Sequence, residues 1–254
     1  MSDGLVWLLA LSFSLAAWLY SSVGHGGGSA YLAILALTGL PRATFAPLAL
    51  TLNLVVSGLG WANYARAGHF SRKLLWPFVT TSIPAAFLGG LTPLPKWAFS
   101  LVLGLVLLLA ALRLLLLQKP VTTQRIPEEG LPLWRWGLPL GALLGYLAGL
   151  IGIGGGIFLS PLLLFLGWAD AKRVGAVSAA FIFLNSASGL IAHMLAQRTP
   201  NLELLLPLTG AVLLGGVLGS HLGATRFSGT ILQRLLGVVL LIAALKMLLD
   251  ATGL

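Results

Sequence analysis

Ten apolar segments, parted by short polar or glycine-rich stretches, fill almost the whole chain. The first five run Leu5–Val23, Ser29–Leu40, Phe45–Tyr64, Leu74–Leu91 and Trp97–Leu117. The second five run Trp136–Ile151, Ile157–Gly167, Val174–Ala196, Leu202–Leu218 and Ile231–Leu249. About 20 helical residues cross roughly 30 Å of hydrocarbon, and several of these runs are long enough. Charged residues make up only 8% of the chain, against roughly 25% in soluble domains. Lipid offers no partner to a backbone N–H or C=O, so a spanning segment of this kind must be helical. The expectation is an all-α polytopic membrane protein. The first run is not expected to be a cleaved leader, because Met1–Gly4 carries no Lys or Arg.

Two glycine signatures interrupt the apolar runs at matching points. GHGGG occupies 24–28 and GIGGG occupies 152–156, an offset of 128. The segments that end the two halves also align, GLVLLLAALR from Gly104 with GVVLLIAALK from Gly237. Pro77 matches Pro207, and Gly89 matches Gly219. The chain therefore reads as a duplication: residues 1–117, a cytoplasmic linker over 118–135, and residues 136–254. The second segment of each half is short; 12 residues from Ser29 to Leu40 would reach only about 18 Å as a helix. Whether it re-enters or crosses fully, each half makes an odd number of crossings, three or five. An odd count inverts the second half relative to the first. Each half is thus expected to hold a glycine-interrupted helix pair plus three transmembrane helices.

Loop charge orients the chain. With the N-terminal side called outer, the inner side holds Arg66, Arg72, Lys73, Arg113, Lys119, Arg125, Arg135, Lys172, Arg173, Arg226 and Arg234. The outer side holds Arg42, Lys96, Arg198 and Lys246. Eleven against four makes the inner side cytoplasmic by the positive-inside bias, with both termini outside a cell inner or plasma membrane. The net charge of +9 is read as contact with anionic lipid, not nucleic acid.

The glycine signatures are the first candidates for a site. Each precedes a helix whose opening N–H groups have no intrahelical partner, and those donors with the positive helix end attract anions. Matched breaks in transporter halves commonly mark the substrate site near the midplane. The candidates are Gly26, Gly27, Gly28 and Ser29 in the first half, and Gly154, Gly155, Gly156 and Ile157 in the second. The bland reading is close packing of small residues. Asn53 and Asn185 lie mid-way along the third segments, followed by Ser57 and Ser188 on the same helix faces, with Thr51 and Ser178 nearby. His25 is the one ionisable side chain in either signature; Ile153 stands at its counterpart. It is suited to donate to an anion, relay a proton, or simply hold its loop.

The absences narrow the chemistry. No cysteine is present, no Asp or Glu lies mid-segment, and no metal-ligand cluster, hydrolytic triad or phosphate loop is evident. No cofactor is expected, and an enzyme has no catalytic constellation to work with. A coupling proton or sodium ion, and an anion channel built on the same dipoles, all stay open.

The sequence VGHGGGSAYLA over 23–33 and GLIGIGGGIFLSP over 149–161 resemble the signatures of the sulfite exporter TauE/SafE family, the group that includes toluene sulfonate uptake permeases. The likeness spans the chain as a two-repeat layout. The second stretch has the usual three glycines followed by proline; in the first, His25 replaces an apolar residue and Ala33 stands in place of the proline. The resemblance implies a secondary transporter of a small sulfur-containing anion such as sulfite, sulfoacetate or another organosulfonate.

Overall fold

A computed structural model describes residues 3–36, 45–92 and 131–252. Between the last two blocks it also describes helical positions at Trp97, Leu101, Gly104, Leu105, Leu108, Ala111, Leu112, Leu115 and Leu116. Arg42, Lys96, Arg113 and the linker charges Lys119, Arg125, Glu128 and Glu129 fall outside the described residues. The continuous helices are α1 (Asp3–Ser21), α2 (Gly28–Ala36), α3 (Phe45–Arg66), α4 (Arg72–Leu91) and α5 (Leu131–Ile151). They are followed by α6 (Gly156–Phe165), α7 (Ala171–Leu195), α8 (Leu202–Thr225) and α9 (Gly229–Thr252). Among the described residues there is no strand.

Four of these helices, α3, α4, α7 and α8, are long and apolar enough to cross a membrane. The ends differ from expectation in one place that matters. Helix α5 begins at Leu131, ahead of the expected Trp136, so Arg135 belongs to a helix and not to the linker. Pro132 accounts for the early start, since its fixed φ and missing N–H suit the first turn. Polar caps start α4, α7 and α8: Ser71 accepts from the Leu74 amide, Asp170 from Lys172 and Arg173, and Asn201 from Glu203 and Leu204. Each such cap satisfies amides that would otherwise be orphaned, worth about 1 kcal/mol.

The helices pack in a reciprocal pattern. Helix α4 lies along α5, and α1 lies along α8; α3 and α7 cross at the centre. Helix α7 is the most enclosed, with 72% of its apolar window buried against 33% for α8. Small residues permit the close pairs. Gly137, Gly141, Gly145 and Gly149 recur every fourth residue of α5 against Pro77, Phe78, Ser82 and Ala86 of α4. In the other pair the stripe lies on α8, where Gly215 and Gly219 meet Ser14 and Trp18 of α1, and Gly223 meets Ser22 just beyond it. Backbones can approach this closely only where no Cβ intervenes. The outward faces are apolar, with Trp7, Trp97 and Trp136 more than half exposed, as interface belts require. Trp61 is half-buried and packs on Phe70 and Phe183.

Candidate functional site

The two glycine loops share two positive-φ turns, and the second adds a third at Gly154, φ 73°, where Gly26 has none. Gly24 and Gly152 take φ of 79° and 83°, and Gly27 and Gly155 take 95° and 81°. Each loop also closes in the same way, with the amide of His25 donating to Tyr20 at 2.9 Å and that of Ile153 to Ala148 at 3.3 Å. Positive φ is open to glycine at no steric cost, which is why no other residue stands at these points. Gly155 then caps α6 without a side chain.

Capping by glycine leaves donors unbonded. The amides of Gly26, Gly27, Gly28, Ser29 and Ala30 at the start of α2 have no hydrogen-bond partner among the described residues. Neither do those of Gly154, Gly155, Gly156 and Ile157 at the start of α6. A nine-residue helix such as α2 is marginal by itself. It is anchored by Tyr31 stacked on Phe13 of α1, with ring centroids 4.9 Å apart and planes 6° apart.

The loops meet. His25, 2% exposed, reaches across to α6, where Nε2 lies 3.1 Å from the Gly156 carbonyl oxygen and 3.2 Å from Ser160 Oγ. Ser160 in turn bonds Ser178 of α7 at 2.6 Å. The Asn53 carboxamide stands against Gly26 and Gly28 of one loop and Gly154 of the other. It is fully buried, and neither its oxygen nor its nitrogen has a partner. Leaving such groups unpaired costs about 1–3 kcal/mol each. Ser186 Oγ, also buried and unpartnered, faces Gly154 from α7.

A cavity of about 10 Å³ lies here, bordered by His25, Gly26, Gly27, Gly28 and Ser29 on one side and by Ile153, Ile157 and Ile182 on the other, with Tyr20 at its edge. That is room for one water molecule. One wall is polar and the other is isoleucine. Tyr20 holds Ser29, whose hydroxyl donates to the phenol oxygen at 3.1 Å.

Not every expected residue is here. Ser57 donates to the Asn53 carbonyl of its own helix, and Thr51 to Pro47. Asn185 turns its amide to Phe181, leaving Oδ1 buried and unpartnered. Ser188 reaches Ile83 of α4 at 2.6 Å. Gly155 faces Ala148 and Phe181. Asn53 is matched across the loops by Ile182, which faces Gly154 and Gly156 as Asn53 faces Gly26 and Gly28; the sequence pairing of Asn53 with Asn185 is corrected accordingly. Tyr20, Ser160 and Ser186 went unnoticed in the sequence. Ser160 had a signal, for it lies inside the GLIGIGGGIFLSP stretch.

A family model described as sulfite exporter TauE/SafE matches residues 9–247. The chain belongs to the TauE/SafE family. Its relatives agree. "Probable membrane transporter protein y4hK" of Sinorhizobium fredii is 35% identical over 244 residues, covering 94% of this chain and 97% of that protein. "Probable membrane transporter protein YjnA" of Bacillus subtilis is 27% identical over 252 residues, covering 91% and 94%. "Probable membrane transporter protein YunE", also of Bacillus subtilis, is 33% identical over 106 residues, covering 42% and 38%. No solved structure matches the chain. This TauE/SafE member is a multi-pass integral membrane protein of a transporter family, and the glycine loops that carried the resemblance are the ones that meet at its centre.

Proposed function

We propose that this TauE/SafE protein is a secondary transporter that binds a small sulfur-containing anion, sulfite or an organosulfonate, between the starts of α2 and α6. The observation that carries the reading is the convergence of two rows of unbonded amide N–H groups on one buried, unpartnered carboxamide, that of Asn53. Such donors act on an anion without a cationic side chain, and in a dry site they count for far more than in water. His25, Ser29 and the amides of Gly26–Gly28 hold the oxyanion from the first half; Gly154–Ile157 close on it from the second. Asn185, Ser57 and Ser188 support the walls.

The two halves read as inverted repeats. In support, Gly24 packs on Gly175 as Gly152 packs on Ala46, and Gly89 meets Tyr146 as Gly219 meets Trp18. Rocking one half against the other gives alternating access. A sulfur oxyanion is larger than the water-sized cavity, so loading must part the loops. In this orientation both termini lie outside, and the linker and most basic loops lie in the cytoplasm.

Thermal unfolding of the detergent-solubilised protein tests the assignment, with sulfite, sulfate, thiosulfate, sulfoacetate, taurine and matched carboxylates added in turn. A ligand that binds the folded state raises the midpoint with concentration. A sulfur anion is expected to do so; if none does while a cation or sugar does, the anion reading fails. Counterflow in proteoliposomes separates transporter from channel, because a channel shows no acceleration of uptake by substrate on the far side.

A further inference from the structure

We infer that Nδ1 of His25 is the seat of a coupling proton taken up together with the anion, and that Ser160 of the second half positions the ring for it. The inference rests on the anion reading above and adds the identity of the coupling ion.

The hydrogen bonds assign the tautomer. A carbonyl oxygen only accepts, so Nε2, 3.1 Å from Gly156 O, carries the hydrogen and donates it there. Ser160 Oγ, 3.2 Å from the same nitrogen, accepts a share of that hydrogen and spends its own on Ser178 Oγ at 2.6 Å. In the neutral ring Nδ1 is then a bare lone pair. It is buried without a partner, in a side chain that borders the cavity. A lone pair facing an anion repels it; a proton on that nitrogen turns it into a charged donor, roughly twice as strong as a neutral one.

Nothing else in the site can play this part. The groups facing His25 are the ring of Tyr20 from α1, edge-on at 6.4 Å, and the carbonyl of Val23 before it in the loop. From the other elements comes Ser160 of α6, backed by Ser178 of α7, while Asn53 of α3 stands beside the neighbouring Gly26. Tyr31 of α2 brings its hydroxyl to Gly27. Both tyrosines are phenols that already hold their protons. Among the described residues no Lys, Arg, Asp or Glu borders the cavity. The counterpart of His25 is Ile153, so the duplicated architecture holds one such seat and not two. The proton comes from water on the side to which the site opens and returns to water on the other. An N–H bond forms as an O–H bond of hydronium breaks on loading, and the exchange reverses on release. A monovalent sulfonate moved with one proton crosses without net charge.

Calorimetric titration of the full-length protein in detergent tests this. The probes are methanesulfonate, whose charge is fixed, and sulfite at an alkalinity where it is fully dianionic. Each is measured in two sulfonate-free buffers of different ionisation enthalpy, at a pH where free histidine is neutral. Wild type is expected to take up about one proton per anion, the linkage signature of a group protonated on binding. His25→Gln should bind more weakly than wild type and with no uptake. Ser160→Ala should lower the uptake and steepen the loss of affinity with rising pH, while Ser160→Thr restores both. Anion binding by wild type with no proton uptake overturns the inference and leaves the anion reading standing, whether or not the variants fold. Full uptake retained in His25→Gln also overturns it. If neither probe binds, the anion reading falls and this inference with it.

Discussion

Asn53 and Ile182 hold reciprocal positions between the glycine loops. Asn53 faces Gly26, Gly28 and Gly154; Ile182 faces Gly154, Gly156 and Gly26. One is a carboxamide with no partner, the other a hydrocarbon, so of these two reciprocal side chains only one is polar. That asymmetry separates the cost of the site from its use. Asn53→Leu removes two unsatisfied buried atoms and adds none. Its apo thermal midpoint should equal or exceed that of wild type, since replacing an unpaired buried polar group by an apolar one relieves about 1–3 kcal/mol. Its affinity for the sulfur anion that shifts wild-type melting should fall roughly 10- to 100-fold, the worth of one hydrogen bond to a charged group. A variant that is less stable and binds normally would return Asn53 to a structural role.

The loop glycines should behave differently from packing glycines. Gly27 sits at φ 95° with the Tyr31 ring beside it, so that a Cβ there would stand 2.6 Å from Tyr31 Cζ. Gly155 is at φ 81°, and a Cβ there would stand 2.8 Å from Ala148 Cβ and 3.0 Å from Phe181 Cε1. Strain of this kind costs on the order of 1–3 kcal/mol and moves the amides that follow. Gly27→Val and Gly155→Val should each abolish the ligand-induced thermal shift while the protein still inserts into membranes, as checked by carbonate extraction. Unaltered affinity in both would make the glycines spacers.

Helix packing gives a matched pair of tests. A Cβ at Gly145 of α5 would lie 2.7 Å from the Ser82 carbonyl carbon of α4, whereas one at Gly210 of α8 would meet nothing within 4 Å. Gly145→Ala must spread α4 from α5 and should lower the melting midpoint, as over-packing by a methyl costs about 1–3 kcal/mol. Gly210→Ala should leave the midpoint unchanged or raise it, because alanine is the better helix former by about 1 kcal/mol. Equal effects would show that the tight interface is not what holds the bundle.

Much of this was legible from residue order alone. Apolar run length placed the helices, because hydrocarbon allows so few alternatives, and the glycine signatures placed both loops, because little else tolerates their φ values. The partner of Asn53 was not legible. Asn185 shares its neighbours in sequence, a Ser-Gly pair just downstream, yet spacing along a helix does not say which face meets the loops. The contacts put Ile182 there and leave Asn185 bonded to Phe181. Ser160 was hidden for a similar reason: a serine in an apolar helix carries no signal until His25, 135 residues away in sequence, is seen beside it. The four-residue glycine stripe of α5 was present in the sequence and simply outshone by the two loops.

Orientation can be settled with the chain's own lack of cysteine, which makes any introduced thiol unique. Lys73 near the start of α4 and Thr199 before α8 are both exposed, and the loop-charge bias assigns them to opposite sides. Ten basic residues would remain on the inner side after Lys73→Cys, against four outside, so the substitution should not flip the topology. In intact cells a membrane-impermeant maleimide should label Thr199→Cys and spare Lys73→Cys until the membrane is opened. The reverse pattern would place both termini in the cytoplasm and invert the transport direction deduced from any sidedness assay. Labelling of both thiols in intact cells would mean that Lys73 and Thr199 share a face, which an odd number of crossings per half forbids.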